Sequence, residues 1–103
     1  MDAVLHALSD RSRRTVLEVL RDRPATVSEL ADRLPIARPG VSRHLRVLRE
    51  AGLVTERREG TRRLYRARRE GLLSLREFLD GFWDERLDDL RLQAEHEERS
   101  RRG

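Results

Sequence analysis

The spacing of apolar residues along the chain changes twice, and those changes divide it into parts. In residues 3–8, apolar side chains at Val4, Leu5 and Leu8 share about one face of a short helix. Asp10 stands where it can cap a second helix. Val16, Leu17 and Leu20 line one side of that helix, and Asp22-Arg23-Pro24 ends it. Thr26-Val27-Ser28-Glu29 fits a capping box, in which Thr26 takes an orphan N–H and Glu29 returns the contact. Leu30, Ala31 and Leu34 supply the buried stripe of this third helix. After the turn Pro35-Ile36-Ala37, Arg38-Pro39-Gly40 opens a fourth, with Pro39 at the first helical position, where a missing N–H costs nothing. Val41, Leu45 and Leu48, at i, i+4 and i+7, turn inward, whereas Ser42, Arg43, Arg46 and Arg49 lie mainly on the other faces. Gly52, after Ala51, suits the left-handed position that closes a helix.

The period then shortens. Residues 53–58 and 61–66 read as two short strands joined near Glu59-Gly60, where Gly60 permits the turn. From Glu70 the helical period returns: Leu72, Leu75, Leu79, Phe82, Trp83, Leu87, Leu90 and Ala94 form a stripe of about six turns. The pattern predicts a mainly α fold with a small β-hairpin, in the order α-α-α-α-β-β-α. It is a single domain over 1–98, with a helix-turn-helix at about 26–51, a hairpin wing at about 53–66 and a flexible tail at 99–103. The helices at about 2–9 and 70–97 remain. A core this small can hardly cover the last stripe, so a second copy is the expected cover. The interface of that homodimer would hold Val4, Leu5, Leu8, Leu75, Leu79, Phe82, Trp83, Leu87 and Leu90.

Charge sharpens the picture. Charged residues make up 41% of the 103-residue chain, so the core is lean and the surface ionic. The net charge is +4, and all 23 basic residues are arginine, whose planar fork of donors suits phosphate and guanine edges. Their placement is more telling than their number. Residues 57–69 carry arginine at 57, 58, 62, 63, 66, 68 and 69, on and just after the hairpin. A tight two-helix turn whose second helix shows an arginine-bearing outer face is a helix-turn-helix pattern. Double-stranded DNA is the expected partner. Arg38, Ser42, Arg43, His44 and Arg46 are the candidate contacts on the recognition helix, and Arg57, Arg58, Arg62 and Arg63 those on the wing. A hairpin alternates its faces, so only some wing arginines can face DNA at once. His44 borders the inward stripe and can equally pack inside.

Other chemistry is excluded or left bare. Without cysteine there are no disulfides, thiolate redox chemistry or cysteine-ligated metals. No apolar run approaches a membrane span, no secretory signal is visible, and the expected location is the cytoplasm. No catalytic constellation or glycine-rich phosphate loop is present, so neither an enzyme nor a cofactor or metal is expected. His6 and His96 lie in the helices assigned to dimerisation. His96, among Glu95, Glu97 and Glu98, could serve as an intersubunit metal ligand, but a solvated surface histidine is the preferred reading.

Ala7-Leu8-Ser9-Asp10-Arg11-Ser12-Arg13-Arg14, Val27-Ser28-Glu29-Leu30-Ala31, Arg38-Pro39-Gly40-Val41-Ser42-Arg43-His44-Leu45-Arg46-Val47-Leu48-Arg49-Glu50-Ala51-Gly52-Leu53-Val54 and Arg57-Arg58-Glu59-Gly60-Thr61-Arg62-Arg63-Leu64-Tyr65 together resemble ArsR-type winged-helix repressors. The long C-terminal stripe with Phe82-Trp83 resembles a metal-free branch of that family that includes small autorepressors. The resemblance implies a dimer made by the first and last helices. It also implies a recognition helix at about 39–50 in the major groove, with a wing at about 54–66 near the backbone or minor groove. It places Ser42, Arg43 and His44 where DNA contacts are made. There are departures. Ala37 stands where the family often has a capping serine or threonine, Arg43 where the related branch often has glutamine, and the cysteine motif of metal sensors is absent from residues 27–32. The reading is a repressor acting on an inverted-repeat operator. Its alternatives are a sensor releasing DNA on binding a small apolar ligand beside Phe82 and Trp83, and a protein-interaction module on the same scaffold.

Overall fold

In the computed structural model, which describes residues 1–83 and 92–97, four helices precede the hairpin. They are α1 (Asp2–Leu8), α2 (Arg11–Asp22), α3 (Val27–Arg33) and α4 (Arg38–Glu50). The strands β1 (Val54–Glu59) and β2 (Arg62–Ala67) follow, then a 3-10 turn (Arg69–Leu72) and α5 (Leu73–Asp80). This is the mainly α fold with an antiparallel hairpin that the hydrophobic pattern predicts.

The boundaries are set by local chemistry. The Asp10 carboxylate accepts the Arg13 N–H at 3.0 Å and starts α2. That bond chiefly, with Arg13 and His44 nearby, holds its carboxyl below the ordinary range. Arg13 and Arg14 then fold back on the helix before them. Arg13 Nε donates to the Ala7 carbonyl at 2.8 Å and Nη2 to that of His6 at 3.0 Å, and Arg14 Nη1 donates to that of Leu8 at 2.7 Å. Two side chains thus satisfy the open carbonyls at the end of α1 and fix its angle to α2. The capping box at α3 is complete: the Glu29 N–H reaches Thr26 Oγ1 at 3.2 Å, and Glu29 Oε1 accepts the Thr26 N–H at 3.3 Å. Ala37 precedes α4 without a side-chain cap, and Pro39 lies within its first turn.

At the far end of α4, the Gly52 N–H bonds the Arg49 carbonyl at 3.0 Å and the Leu53 N–H bonds that of Leu48 at 2.9 Å. This doubly bonded closure needs a left-handed residue, and Gly52 has φ +76°. It turns the chain straight into β1. The hairpin pairs Val54 with Ala67 through Glu59 with Arg62. At the turn only Gly60 takes a positive φ, +61°, the sign pattern of a type II′ turn. The far edge of β2 is also paired: Ala25 and Tyr65 exchange two backbone bonds of 3.0 and 2.9 Å, tying the wing to the start of α3.

One core serves all these elements. Val16, Leu20, Leu30, Val41, Leu45, Leu48, Leu53 and Val54 are buried together, with Val4 and Ala7 from α1 and Ala25 closing its edges. No polar side chain is buried among the described residues. Val4, assigned by sequence to the dimer surface, is 5% exposed and belongs to this core.

The helix expected over 70–97 differs. Its first turn is 3-10, and within that turn Gly71 presses against the end of α4, where a Cβ would collide with the Gly52 oxygen. α5 stops at Asp80 with Gly81 as its cap, and Phe82 and Trp83 bond the carbonyls of Leu79 and Asp80 in tighter i−3 fashion. Residues 92–97 are again helical. Leu87, Leu90 and the tail at 99–103 lie outside the described residues. Among the described residues, no helix is long and apolar enough to cross a membrane.

Candidate nucleic-acid interface

The outer face of α4 and the inner face of the wing form one surface. Because Val41, Leu45 and Leu48 are held in the core, the helical period turns Ser42, Arg43, Arg46 and Arg49 outward, and all four are exposed. The strand period sorts the wing in the same way. Glu56 and Arg58 of β1 lie opposite Tyr65 and Arg63 of β2 on one face, while Arg57 opposite Leu64 and Glu59 opposite Arg62 lie on the other. The first face looks onto α4. One open groove runs between Ser42, Arg43, Arg46 and Arg49 on the helix and Glu56, Arg63 and Tyr65 on the wing. An adjoining groove joins Ser42 to Arg58, Arg62 and Arg63 at the wing tip, with Thr26, Val27 and Ser28 of the α3 start as its other wall.

The charges within this surface are unevenly committed. Arg62 Nη2 donates to Glu29 Oε1 at 2.6 Å. The same oxygen receives the Thr26 hydroxyl at 3.1 Å, and these donors, Thr26 foremost, hold the Glu29 carboxyl below its usual range. Arg57 pairs with Glu59 at 3.1 Å. Arg49 and Arg63 both pair with Glu56. Arg38, Arg43, Arg46 and Arg58 have no ion pair among the described residues. Arg58 and Arg63 are direct cross-strand partners. Two like charges so placed repel one another in the free protein, and an anion between them relieves the repulsion.

The structure therefore brings Ser42, Arg43, Arg46, Arg58, Arg62 and Arg63 together, and it does not bring in the other three candidates. Arg38 is exposed at the start of α4, outside both grooves. Arg57 lies on the outer face of the wing and, unlike Arg62 at its tip, lines neither groove. His44 is half-buried and its Nδ1 is buried without a hydrogen-bond partner among the described residues. Of its two open readings, this is the geometry of a packed histidine. The sequence turns Arg49 outward, but Arg49, Glu56 and Tyr65 are not among the DNA contacts it singles out. The i, i+4, i+7 step from Ser42 through Arg46 reaches Arg49, and strand alternation from Arg58 reaches Glu56, so both periods contained the signal.

The second exposed feature is apolar. Leu5 on α1 is 44% exposed and Leu79 on α5 42%, and Phe82 and Trp83 rise to 69% and 60%. Leu8 and Leu75 are half-buried and pack on the core's edge. Phe78, absent from the stripe read in the sequence, is 48% exposed and meets Phe82 edge-to-face, with ring centroids 5.2 Å apart. An apolar hollow lies between α2 and the start of α5, floored by Leu17, Ala67, Leu72 and Leu73, and not beside Phe82 and Trp83, where the alternative effector reading would put its ligand.

Comparison with known proteins agrees with this geometry. Residues 8–57 match a family described as "Helix-turn-helix domain". The chain is 49% identical over 82 residues to the HTH-type transcriptional regulator Rv2034 of Mycobacterium tuberculosis, covering 80% of this chain and 77% of that protein. It is 33% identical to the transcriptional repressor SdpR of Bacillus subtilis, over 58% of this chain and 67% of that protein. Among solved structures, an ArsR-like transcriptional regulator from Rhodococcus sp. RHA1 superposes with a TM-score of 0.76 at 34% identity, covering 91% and 89% of the two chains. A homodimeric winged helix-turn-helix DNA-binding domain from Mycobacterium bovis superposes with a TM-score of 0.66 at 31% identity, covering 82% and 78%.

Proposed function

The chain belongs to the ArsR family of winged helix-turn-helix transcriptional regulators, and on that premise we propose that it represses transcription as a homodimer seated on an inverted-repeat operator. The observation that carries this reading is the continuous basic surface on which the outer row of α4 meets the Arg58–Arg63 pair of the wing. Arg43 and Arg46, which hold no carboxylate among the described residues, are the base-reading side chains, with Ser42 beside them. Arg58 and Arg63 take phosphate. Arg62 joins them once it leaves Glu29. Phosphate contacts supply affinity on any duplex and make it depend on salt; base contacts supply selectivity.

The dimer is built from the exposed apolar side chains of α1 and α5, as the homodimeric relative from Mycobacterium bovis encourages. Pairing sets two recognition helices about 34 Å apart, so that they read successive major grooves. Repression follows from occupancy of the operator, the role carried in the name of the Bacillus subtilis relative. We assign no metal to α3, since no cysteine stands in this sequence to serve as a thiolate ligand. A second reading, release by a small apolar effector, is favoured only by the hollow between α2 and α5.

Selection of random duplex DNA by the purified protein tests the proposal. One inverted repeat should be enriched, and its affinity should not move when zinc is added. On that repeat, Arg58→Ala with Arg63→Ala should flatten the slope of log affinity against log salt by about 0.9 for each phosphate no longer neutralised. Arg57→Ala, on the outer face, should leave the slope as it is. Failure to enrich any motif, or equal slopes for all variants, overturns the reading.

A further inference from the structure

One carboxylate stands inside the basic surface. Glu56 is half-buried, and it accepts arginines from two different elements. Arg49 of α4 places Nη1 2.5 Å from its Oε2, and Arg63 of β2 places Nε 3.5 Å from its Oε1. The two arginines are exposed at 52% and 58% of their side chains, while the Glu56 side chain is exposed at only 21%. The anion is therefore the fixed point and the cations reach to it. A negative charge facing the same groove as Arg43 and Arg46 weakens attraction to phosphate, so general affinity for nucleic acid does not explain it.

We propose that Glu56 is a specificity-determining positioning residue: it ties the wing to the recognition helix through Arg49 and aims Arg63, so that phosphate and base contacts form together only on matching DNA. This rests on the DNA-binding reading above. Without the tie, Arg49 and Arg63 become free cations on a wing no longer referenced to α4. Random duplex then gains affinity and the operator gains none. Selectivity is a difference of affinities, and a device that handicaps the wrong partner serves it as well as one that favours the right one.

The test compares wild type, Glu56→Gln and Glu56→Asp on the selected operator and on a random duplex. Glu56→Gln removes the charge and keeps the length, and Glu56→Asp keeps the charge and shortens the reach. Both should lower the operator-to-random affinity ratio, by about tenfold, the scale of one charge-assisted hydrogen bond. Glu56→Gln alone should also steepen the salt dependence on random duplex, by up to about 0.9 for each arginine released. Thermal melting confirms that each variant is folded. In the free protein, a double-mutant cycle of Arg49→Ala with Glu56→Gln should show coupling in stability. A ratio unchanged in Glu56→Gln, or lowered in Glu56→Gln but not in Glu56→Asp, overturns the positioning role while the DNA-binding reading stands. A wild-type protein that selects no operator overturns both.

Discussion

α4 and α5 are both amphipathic helices with leucine-rich stripes, yet one is finished within a single chain and the other is not. The inward residues of α4, Val41, Leu45 and Leu48, are at most 1% exposed. On α5, Leu75 alone leans on the core, and Phe78 and Leu79 remain open at 48% and 42%. The same periodicity thus means core in one place and surface in the other. What separates them is position. α4 is enclosed by α1, α2, α3 and β1, whereas α5 follows the last strand and, among the described residues, packs chiefly on the 3-10 turn before it. An apolar stripe reveals that a helix face is to be covered, and the rest of the chain decides whether a cover is available.

The contrast can be broken at either helix. The largest effect is expected from Leu79→Glu with Phe82→Glu. Each forfeits about 1.5–3 kcal/mol of burial per side chain in the proposed dimer and sets a carboxylate in an apolar interface. Sedimentation should show a monomer that keeps its helical circular dichroism, with operator binding abolished. A dimer that persists would place the interface elsewhere. On α4 the opposite is expected. Leu45→Ala should cost about 2–5 kcal/mol of folding stability, seen as a lower denaturation midpoint, because the cavity opens in the shared core.

A third change addresses the joint between the two helices. At Gly71 an added methyl would meet the Gly52 backbone, which closes α4. Gly71→Ala should destabilise by about 1–3 kcal/mol, as overpacking does, and loosen α5 from the recognition helix. If its melting temperature matches wild type, the close approach carries no constraint. The smallest effect belongs to the start of α3. Thr26→Ala should cost about 1 kcal/mol by removing the cap. It should also alter the acid limb. The Glu29 and Asp10 carboxyls are held low in the folded state, so their contribution is present above the ordinary carboxylate range and lost as pH falls through their lowered values. Removing Thr26 removes part of that contribution, and unfolding followed from neutral to acid pH should show a shallower loss of stability than wild type.

Much of the molecule is legible in one dimension. The capping box at Thr26 and Glu29, the stop at Gly52 and the inward triad of α4 are local patterns, each decided within a few residues, and the structure keeps them. The basic rows of α4 and the hairpin follow from the same periods, because fixing the buried side of a helix or strand fixes the other side too. Sequence alone thus determined the order of elements, the core of α2 to α4 and the family's outline.

Tertiary structure decided what depends on distance between elements. It moved Val4 into the core and turned His44 to pack with its Nδ1 inside. It ended α5 at Asp80, next to Gly81, which lowers the cost of stopping. It committed Arg62 to Glu29, thirty-three residues away, and gathered Arg49 and Arg63 on Glu56. No periodicity encodes such pairs, since an ion pair forms wherever folding leaves opposite charges within about 4 Å, whatever their separation along the chain.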